Sequence, residues 1–151
     1  MTTTPTTVVR IRTEVDSYQP ASNGSGCNGI VNWEVGPECF PDDRWNDSVL
    51  VLACWWLSSL KQLQHSECSA IFRFMDGPFY IECERIGDAI HGECIDDRRG
   101  RSIVATWTQT LGSLRNQVVS FSSSVLSYCD QRSIMGSDVD QLRAKITAIA
   151  P

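Results

Sequence analysis

The sequence predicts an α+β fold, in which helices pack against an antiparallel sheet of about five strands in the order ββαβββαα. Three observations lead to this prediction. Apolar and polar residues alternate near the start of the chain and again in its middle, as they do in strands. The apolar run 49–57 keeps a helical spacing beyond its end, and a heptad pattern follows residue 102.

The first predicted unit is a hairpin. Residues 1–7 repeat Thr and Pro, so we expect a disordered tail followed by a single domain over 8–151. The segments "TVVRIRTEV" and "IVNWEV" are predicted strands, and the Gly- and Ser-rich "QPASNGSGCNG" between them is predicted to be their connecting loop. Pro37 and Pro41 then interrupt regular structure.

The next predicted unit is a central helix. Asp43 is its expected N-cap, and Asp47 would add a negative charge to the first turn, where the helix dipole favours it. Apolar side chains at spacings of three and four form one stripe: Trp45, Val49, Leu52, Trp56, Leu60 and Leu63. Leu50, Trp55 and Leu57 widen this apolar surface, so we expect the helix to contact more than one layer.

Three strands are predicted after this helix: Ala70–Met75, Phe79–Ile86 and Ala89–Ile95. In the second of them apolar and polar side chains alternate, so one face suits a core and the other suits water or a partner. The tripeptide Asp76-Gly77-Pro78 joins the first two strands. Asp-Gly favours a two-residue turn, but the proline lacks the N–H that would close it. We therefore expect an open turn or a wider one.

A long helix capped by Ser102 is predicted next. Its apolar positions form a heptad seam: Val104, Trp107, Leu111, Leu114, Val118, Phe121, Val125 and Tyr128. The rest of its surface is rich in Ser and Thr rather than in charges, which favours packing on the central helix or the sheet. A homodimer through the Val104–Tyr128 helix is the alternative, although a monomer is favoured. Ser137 and Asp140 form a capping box for a final short helix.

Composition limits the classes of function. The 151-residue chain has a net charge of −5, which argues against nucleic-acid binding and would suit a basic protein partner. The segment "MTTTPTT" lacks the basic and apolar regions of a signal peptide, and the longest apolar run is too short to span a bilayer. We therefore expect a cytoplasmic protein without a membrane partner.

The cysteines and histidines do not form a recognisable site. The seven cysteines are spread along the chain without the spacing of zinc or iron–sulfur ligands, so we expect reduced thiols, no metal and no cofactor. His65 lies near Cys68, and His91 lies near Cys94. Cysteine–histidine catalysis depends on pairing in space, which proximity in sequence does not supply.

Two carboxylate pairs are candidates for a chemical site. Asp43 and Asp47 lie one helical turn apart and could chelate a divalent ion, but helix capping explains both of them. Glu82 and Glu84 share one strand face and could act as an acid–base pair, but an open polar face is the commoner explanation. We therefore predict a protein that is not an enzyme.

The remaining signal is a set of acidic and aromatic residues. Such mixtures are typical of protein-binding surfaces, in which aromatic anchors are surrounded by charged groups. Asp96 and Asp97 add acidic positions beside the arginines of "DDRRGR". The candidate protein-binding residues are Asp42, Asp43, Trp45, Asp76, Tyr80, Glu82, Glu84, Asp96 and Asp97.

In "DDRWNDSVLVLACWWLSSL" and "FRFMDGPFYIECER", an acidic and aromatic helix start leads to two strands around a tight turn. In this plan the chain resembles the small cytoplasmic immunity proteins of bacterial polymorphic and contact-dependent toxin systems. The resemblance implies a function in binding a cognate toxin and neutralising it. One alternative is an acidic secretion chaperone that holds an effector, and a second is a small enzyme with an unrecognised site.

Overall fold

The computed structural model describes residues 8–22, 24–65 and 68–149, so the predicted tail 1–7 lies outside the described residues. Within these ranges the protein has an α+β fold, with two four-stranded antiparallel sheets and three helices. The α+β class is therefore confirmed. The prediction of about five strands in one sheet is wrong.

The first sheet is built around one central strand. It contains β1 (Val9–Pro20), β2 (Cys27–Val35), β3 (Glu38–Phe40) and β4 (Asn46–Ser48). Strand β2 pairs with β1 on one side and with both short strands on the other. The predicted hairpin of β1 and β2 is confirmed, although pairing continues to Pro20 beyond a bulge and shortens the expected loop.

Helix α1 (Val49–Leu63) connects the two sheets. All of the predicted stripe from Val49 onward is buried, and the helix contacts β2, β5 (Ser69–Arg73) and the other helices, as expected of a central helix. The prediction that Asp43 caps it is wrong, because residues 46–48 pair with β2 and the helix begins at Val49. Trp45 is consequently not a helical residue.

The second sheet is a meander with the order β5, β6 (Phe79–Ile86), β7 (Ala89–Asp96) and β8 (Ser102–Thr110). The first three of these strands match the predicted ones to within two residues at each end. The fourth is a correction, because Ser102 begins a strand and does not cap a helix. Residues 102–110 are rich in β-branched side chains, which favour a strand over the helix that the apolar spacing predicted.

Helix α2 (Leu111–Gln131) therefore begins eight residues later than predicted, and Thr110 caps it by accepting a hydrogen bond from Ser113 N at 3.1 Å. The helical part of the predicted seam from Leu114 to Tyr128 is buried within the chain. It packs against β1 and α1, so it is not an exposed dimer surface. Helix α3 (Ser137–Ile149) confirms the final short helix. No helix in the described ranges is long and apolar enough to cross a membrane.

The two sheets meet at the indole of Trp33 on β2, which has no exposed surface. Its ring centroid lies 5.5 Å from that of Trp56 on α1, 5.2 Å from Phe72 on β5 and 5.8 Å from Trp107 on β8. Aromatic pairs at these separations are favourable beyond the area that they bury. One side chain of the first sheet thus contacts α1 and both edge strands of the second sheet.

Replacing Gly92 by Ala is expected to destabilise the protein. A Cβ atom at Gly92 would lie 2.2 Å from the Trp107 ring, and this ring cannot move without disturbing Trp33. Overpacking of this kind costs about 1–3 kcal/mol, and we expect a loss of this size in the free energy of unfolding measured with urea. Gly112→Ala is the matched control, because a Cβ there contacts nothing within 4 Å. Equal stability of the Gly92 variant and the wild type would contradict this packing.

Candidate protein-binding site

A groove of about 470 Å³ opens beside β3, between the segment that follows it and the second sheet. We call it the aromatic groove and define it by six of its lining residues: Phe40, Asp42, Trp45, Phe79, Asp96 and Arg98. Phe40 is buried, whereas Trp45 and Phe79 are half-buried and remain accessible from the groove. Aromatic and acidic side chains far apart in the sequence are thus brought together.

The aromatic rings of the groove rest on the protein core. The Trp45 and Phe79 ring centroids lie 5.1 Å apart, and those of Phe40 and Phe79 lie 5.9 Å apart. The buried Phe74 contacts both Phe40 and Trp45, and its centroid is 5.4 Å from that of Trp56. Because Trp56 also contacts Trp33, the groove rings continue the central aromatic cluster and have little freedom to change conformation.

The backbone around Trp45 is held by the first sheet. Its carbonyl oxygen accepts a hydrogen bond from Val31 N at 3.0 Å. The backbone oxygen of Asp43 accepts from Arg12 Nη1 at 2.9 Å and from Asn32 Nδ2 at 3.3 Å. Asp43 therefore contributes a main-chain acceptor to the first sheet, and its exposed carboxylate neither caps a helix nor pairs with Asp47.

Asp47 is the buried anchor of this region. Within the described ranges it is the one charged residue that is buried, with 3% of the residue exposed. One carboxylate oxygen accepts from Ser48 N at 2.7 Å, and the other accepts from Trp45 Nε1 at 2.9 Å. The second oxygen also accepts from Met75 N at 3.1 Å and from Asp76 N at 3.2 Å. Four N–H donors thus satisfy the charge, and Asp47 fixes both Trp45 and the 75–78 turn.

The 75–78 turn packs against the groove. Phe74 N donates to Phe79 O at 3.1 Å, so the turn is wider than two residues, as its proline predicted. Gly77 has φ +130°, a conformation that other residues rarely adopt, and a Cβ there would lie 3.1 Å from the Trp45 ring. The turn therefore supports Trp45 from one side.

An ion pair forms the polar wall of the groove. The Arg98 guanidinium donates to both Asp96 carboxylate oxygens, with Nη2 at 2.7 Å and Nε at 3.0 Å, and lies 5.3 Å from the Phe79 ring centroid. These hydrogen bonds lower the pKa of Asp96 and raise that of Arg98. Glu38 and Asp42 also line the groove and are exposed, so its carboxylates outnumber its one lining cation, Arg98.

Most of the sequence-predicted binding residues lie on two separate surfaces, and two of them lie outside both. Asp42, Trp45 and Asp96 line the aromatic groove, and Asp76 lies in the adjacent turn. Tyr80, Glu82 and Glu84 lie together on the polar face of the second sheet, where Tyr80 packs under Arg73 and Glu82 pairs with Arg101 at 2.7 Å. Asp43 and Asp97 are exposed outside both groups, and Asp97 N donates to Pro78 O.

Several residues of the groove were not among the sequence-predicted candidates, including Glu38 and Phe79. Phe40 and Arg98 line it, and Val104 reaches it from β8 rather than from a helix. The pairing of Arg98 with Asp96 could have been suspected from "DDRRGR". No local pattern indicated Phe40, because its place in the groove depends on contacts with Phe74 and Phe79, which are distant in sequence.

The geometry does not bring His91 and Cys94 together. His91 and Cys94 lie three residues apart on β7, so their side chains point to opposite faces: His91 is exposed and Cys94 is buried. All seven cysteines are free thiols. The described ranges contain no group of three or more His, Cys, Asp or Glu side chains that could hold a metal ion. Burial raises the pKa of Cys54 to about 11 and that of Cys94 to about 12, which disfavours reactive thiolates.

Comparisons of the chain with protein-family models, with curated proteins and with solved structures found no match.

Asp47→Asn is expected to destabilise the protein by about 1–3 kcal/mol, because the amide nitrogen would face N–H donors in place of a carboxylate oxygen. The free energy of unfolding should fall, and the tryptophan fluorescence of the protein should change because Trp45 loses its anchor. Asp43→Asn is the matched control, since the Asp43 carboxylate is exposed and only its backbone oxygen is used. Similar unfolding curves for both variants would contradict the anchoring role of Asp47.

Alkaline pH is expected to destabilise the protein partly through Tyr18. Burial raises the pKa of Tyr18 from 10.0 to about 12, so the folded state retains this proton where the unfolded state loses it. The contribution is complete below pH 10 and is lost as the pH rises to about 12; it amounts to about 2–3 kcal/mol. In urea unfolding at pH 9–12, Tyr18→Phe should lose less stability than the wild type. Parallel pH profiles would contradict this assignment.

Proposed function

We propose that this chain is a non-enzymatic binding protein that recognises another protein through the aromatic groove. The observation that carries this proposal is that two accessible aromatic rings, Trp45 and Phe79, pack on each other beside the carboxylates that line the same groove. Aromatic anchors at partly buried positions contribute most of the energy of many protein interfaces. Because the rings are already held by the core, binding would cost little conformational entropy.

The charge of the groove indicates the kind of partner. Glu38, Asp42 and Asp96 face one lining arginine, and the whole chain is acidic. A basic partner would be attracted at long range and oriented by these carboxylates. An arginine of such a partner would find both an aromatic face and a carboxylate, the arrangement that Arg98 already uses with Phe79 and Asp96.

Within this class, we propose an immunity protein that binds a cognate bacterial toxin and blocks it. An inhibitor that acts by surface complementarity needs a rigid, charged and partly aromatic surface and no catalytic group of its own. The aromatic groove fits that need. A dimeric secretion chaperone would use the predicted heptad seam as its dimer surface, and the helical part of that seam is buried against β1 and α1.

Co-expression with the product of the adjacent gene tests this function. We expect the wild-type chain to restore growth that this product inhibits, and the purified pair to form a one-to-one complex. Trp45→Ala should weaken the complex by about 30-fold or more, as loss of an anchor residue does. Asp42→Lys should weaken it and reduce its dependence on salt.

Glu84→Lys is the matched control for charge reversal, because Glu84 is exposed on the polar face of the second sheet. Its affinity should equal that of the wild type in isothermal titration calorimetry. An effect of Glu84→Lys with none of Asp42→Lys would assign the interface to the second sheet. A growth defect that the wild-type chain does not relieve would refute the immunity function.

A further inference from the structure

Helix side chains protect two of the sheet edges. On β1, Ile11 N donates to Gln117 Oε1 of α2 at 3.2 Å, and Tyr18 O accepts from Tyr128 Oη at 3.1 Å. These bonds occupy main-chain groups that β2 does not use. An edge strand with such groups unpaired is a template for pairing with another chain, so this edge is blocked.

The edge of β5 is protected in the same way by α1. Arg73 O accepts from Trp56 Nε1 at 2.8 Å, and Ile71 O accepts from Ser59 Oγ at 2.7 Å. The remaining edge of the first sheet is formed by β3 and β4, which have three residues each. Short edge strands offer too few hydrogen bonds to attract a partner strand.

Strand β8 differs from these edges. It has nine residues, and within the described ranges β7 is the only strand that pairs with it by hydrogen bonds, although β1 and β2 also contact it. Among the described residues, no helix side chain donates to the main chain of 102–108 as Trp56 and Ser59 of α1 donate to that of β5. Ile103 and Val104 are 46% and 51% exposed, so this long edge is also apolar. Its composition is that of a strand able to pair further.

The exposed edge of β8 adjoins the aromatic groove. Ile103 pairs with Ile95 and Ala105 pairs with Cys94, which leaves Val104 as an extra residue in a bulge. Val104 and Ala105 both line the groove. A strand added along β8 would therefore run beside the groove and could direct alternate side chains into it.

We propose that the outer edge of β8 over 102–108 pairs with an extended segment of the partner protein, and that this segment places a basic side chain in the aromatic groove. This inference rests on the proposed function and specifies how the partner is held: by main-chain hydrogen bonds along β8 and by side-chain contacts in the groove. The charge argues for a basic segment, because Glu38 and Asp42 lack a basic partner among the groove-lining residues. A second copy of this chain would offer the groove no basic side chain from its own β8, because that strand contains no Lys or Arg.

A display library of random decapeptides panned on the full chain tests the proposal without knowledge of the partner. We expect enriched peptides to combine Lys or Arg with β-branched residues and to weaken as salt is raised from about 50 to about 500 mM. Hydrogen exchange with a bound peptide should slow at amides of residues 102–108. The same peptide with alternate amides N-methylated should bind at least about tenfold more weakly, because one of its strand edges is then blocked.

Val104→Lys is the matched variant, since it places a cation where the basic segment would enter; Ile86→Lys, at another exposed apolar strand position, is its control. The first should reduce peptide affinity by about tenfold or more, and the second should not change it. Any of three results would overturn the proposal. The enriched peptides could protect amides outside 102–108, the N-methylated peptide could bind as tightly as the unmodified one, or panning on the wild type could yield no more binders than panning on the Val104→Lys protein. A wild-type dimer joined through β8 in sedimentation velocity would overturn it as well. Growth rescue with unchanged β8 exchange would refute this inference and leave the proposed function standing.

Discussion

The packing of Trp33 against three other rings is the interaction on which the architecture depends. The first sheet, α1 and the second sheet are joined there, because Trp56, Phe72 and Trp107 come from different elements and all contact the one indole. Trp107 can approach only because Gly92 has no side chain. The same cluster extends through Trp56 and its neighbours to the groove, so the candidate binding surface is the accessible end of the core. Its rigidity follows from the packing density of the interior.

Asp47 links this packing to the surface by electrostatics. A carboxylate that is 3% exposed would be costly without partners, and four N–H donors provide them. Two of these donors, Met75 N and Asp76 N, belong to the 75–78 turn of the second sheet, and another is the Trp45 indole. Asp47 therefore couples the position of the Trp45 side chain to that of the 75–78 turn, which is distant in sequence. A network of this kind specifies one arrangement only when all of its members are satisfied.

Part of the fold followed from local patterns. The hairpin of the first two strands, helix α1 after Val49, the three strands β5 to β7 and helix α3 were predictable, because periodicities of 2 and 3.6 residues reveal which face of each element is buried. The site was predictable only in part. Asp42, Trp45 and Asp96 were identified as candidates by residue type, but nothing in the sequence indicated that they share a groove, or that Glu82 and Glu84 lie on another face.

By itself, the sequence determined the α+β class, the element faces that are buried and the acidic, aromatic character of the surface, because each of these depends on neighbouring residues along the chain. The tertiary structure decided the rest. Val104 and Trp107 are apolar and three residues apart, a spacing that fits either a strand or a helix. The packing of Trp107 on Gly92 in β7 selects the strand. Pairing with β2 selects a strand at 46–48. Asp47 acquired its role because two of its four donors lie 28 and 29 residues away, a separation in sequence that only folding closes.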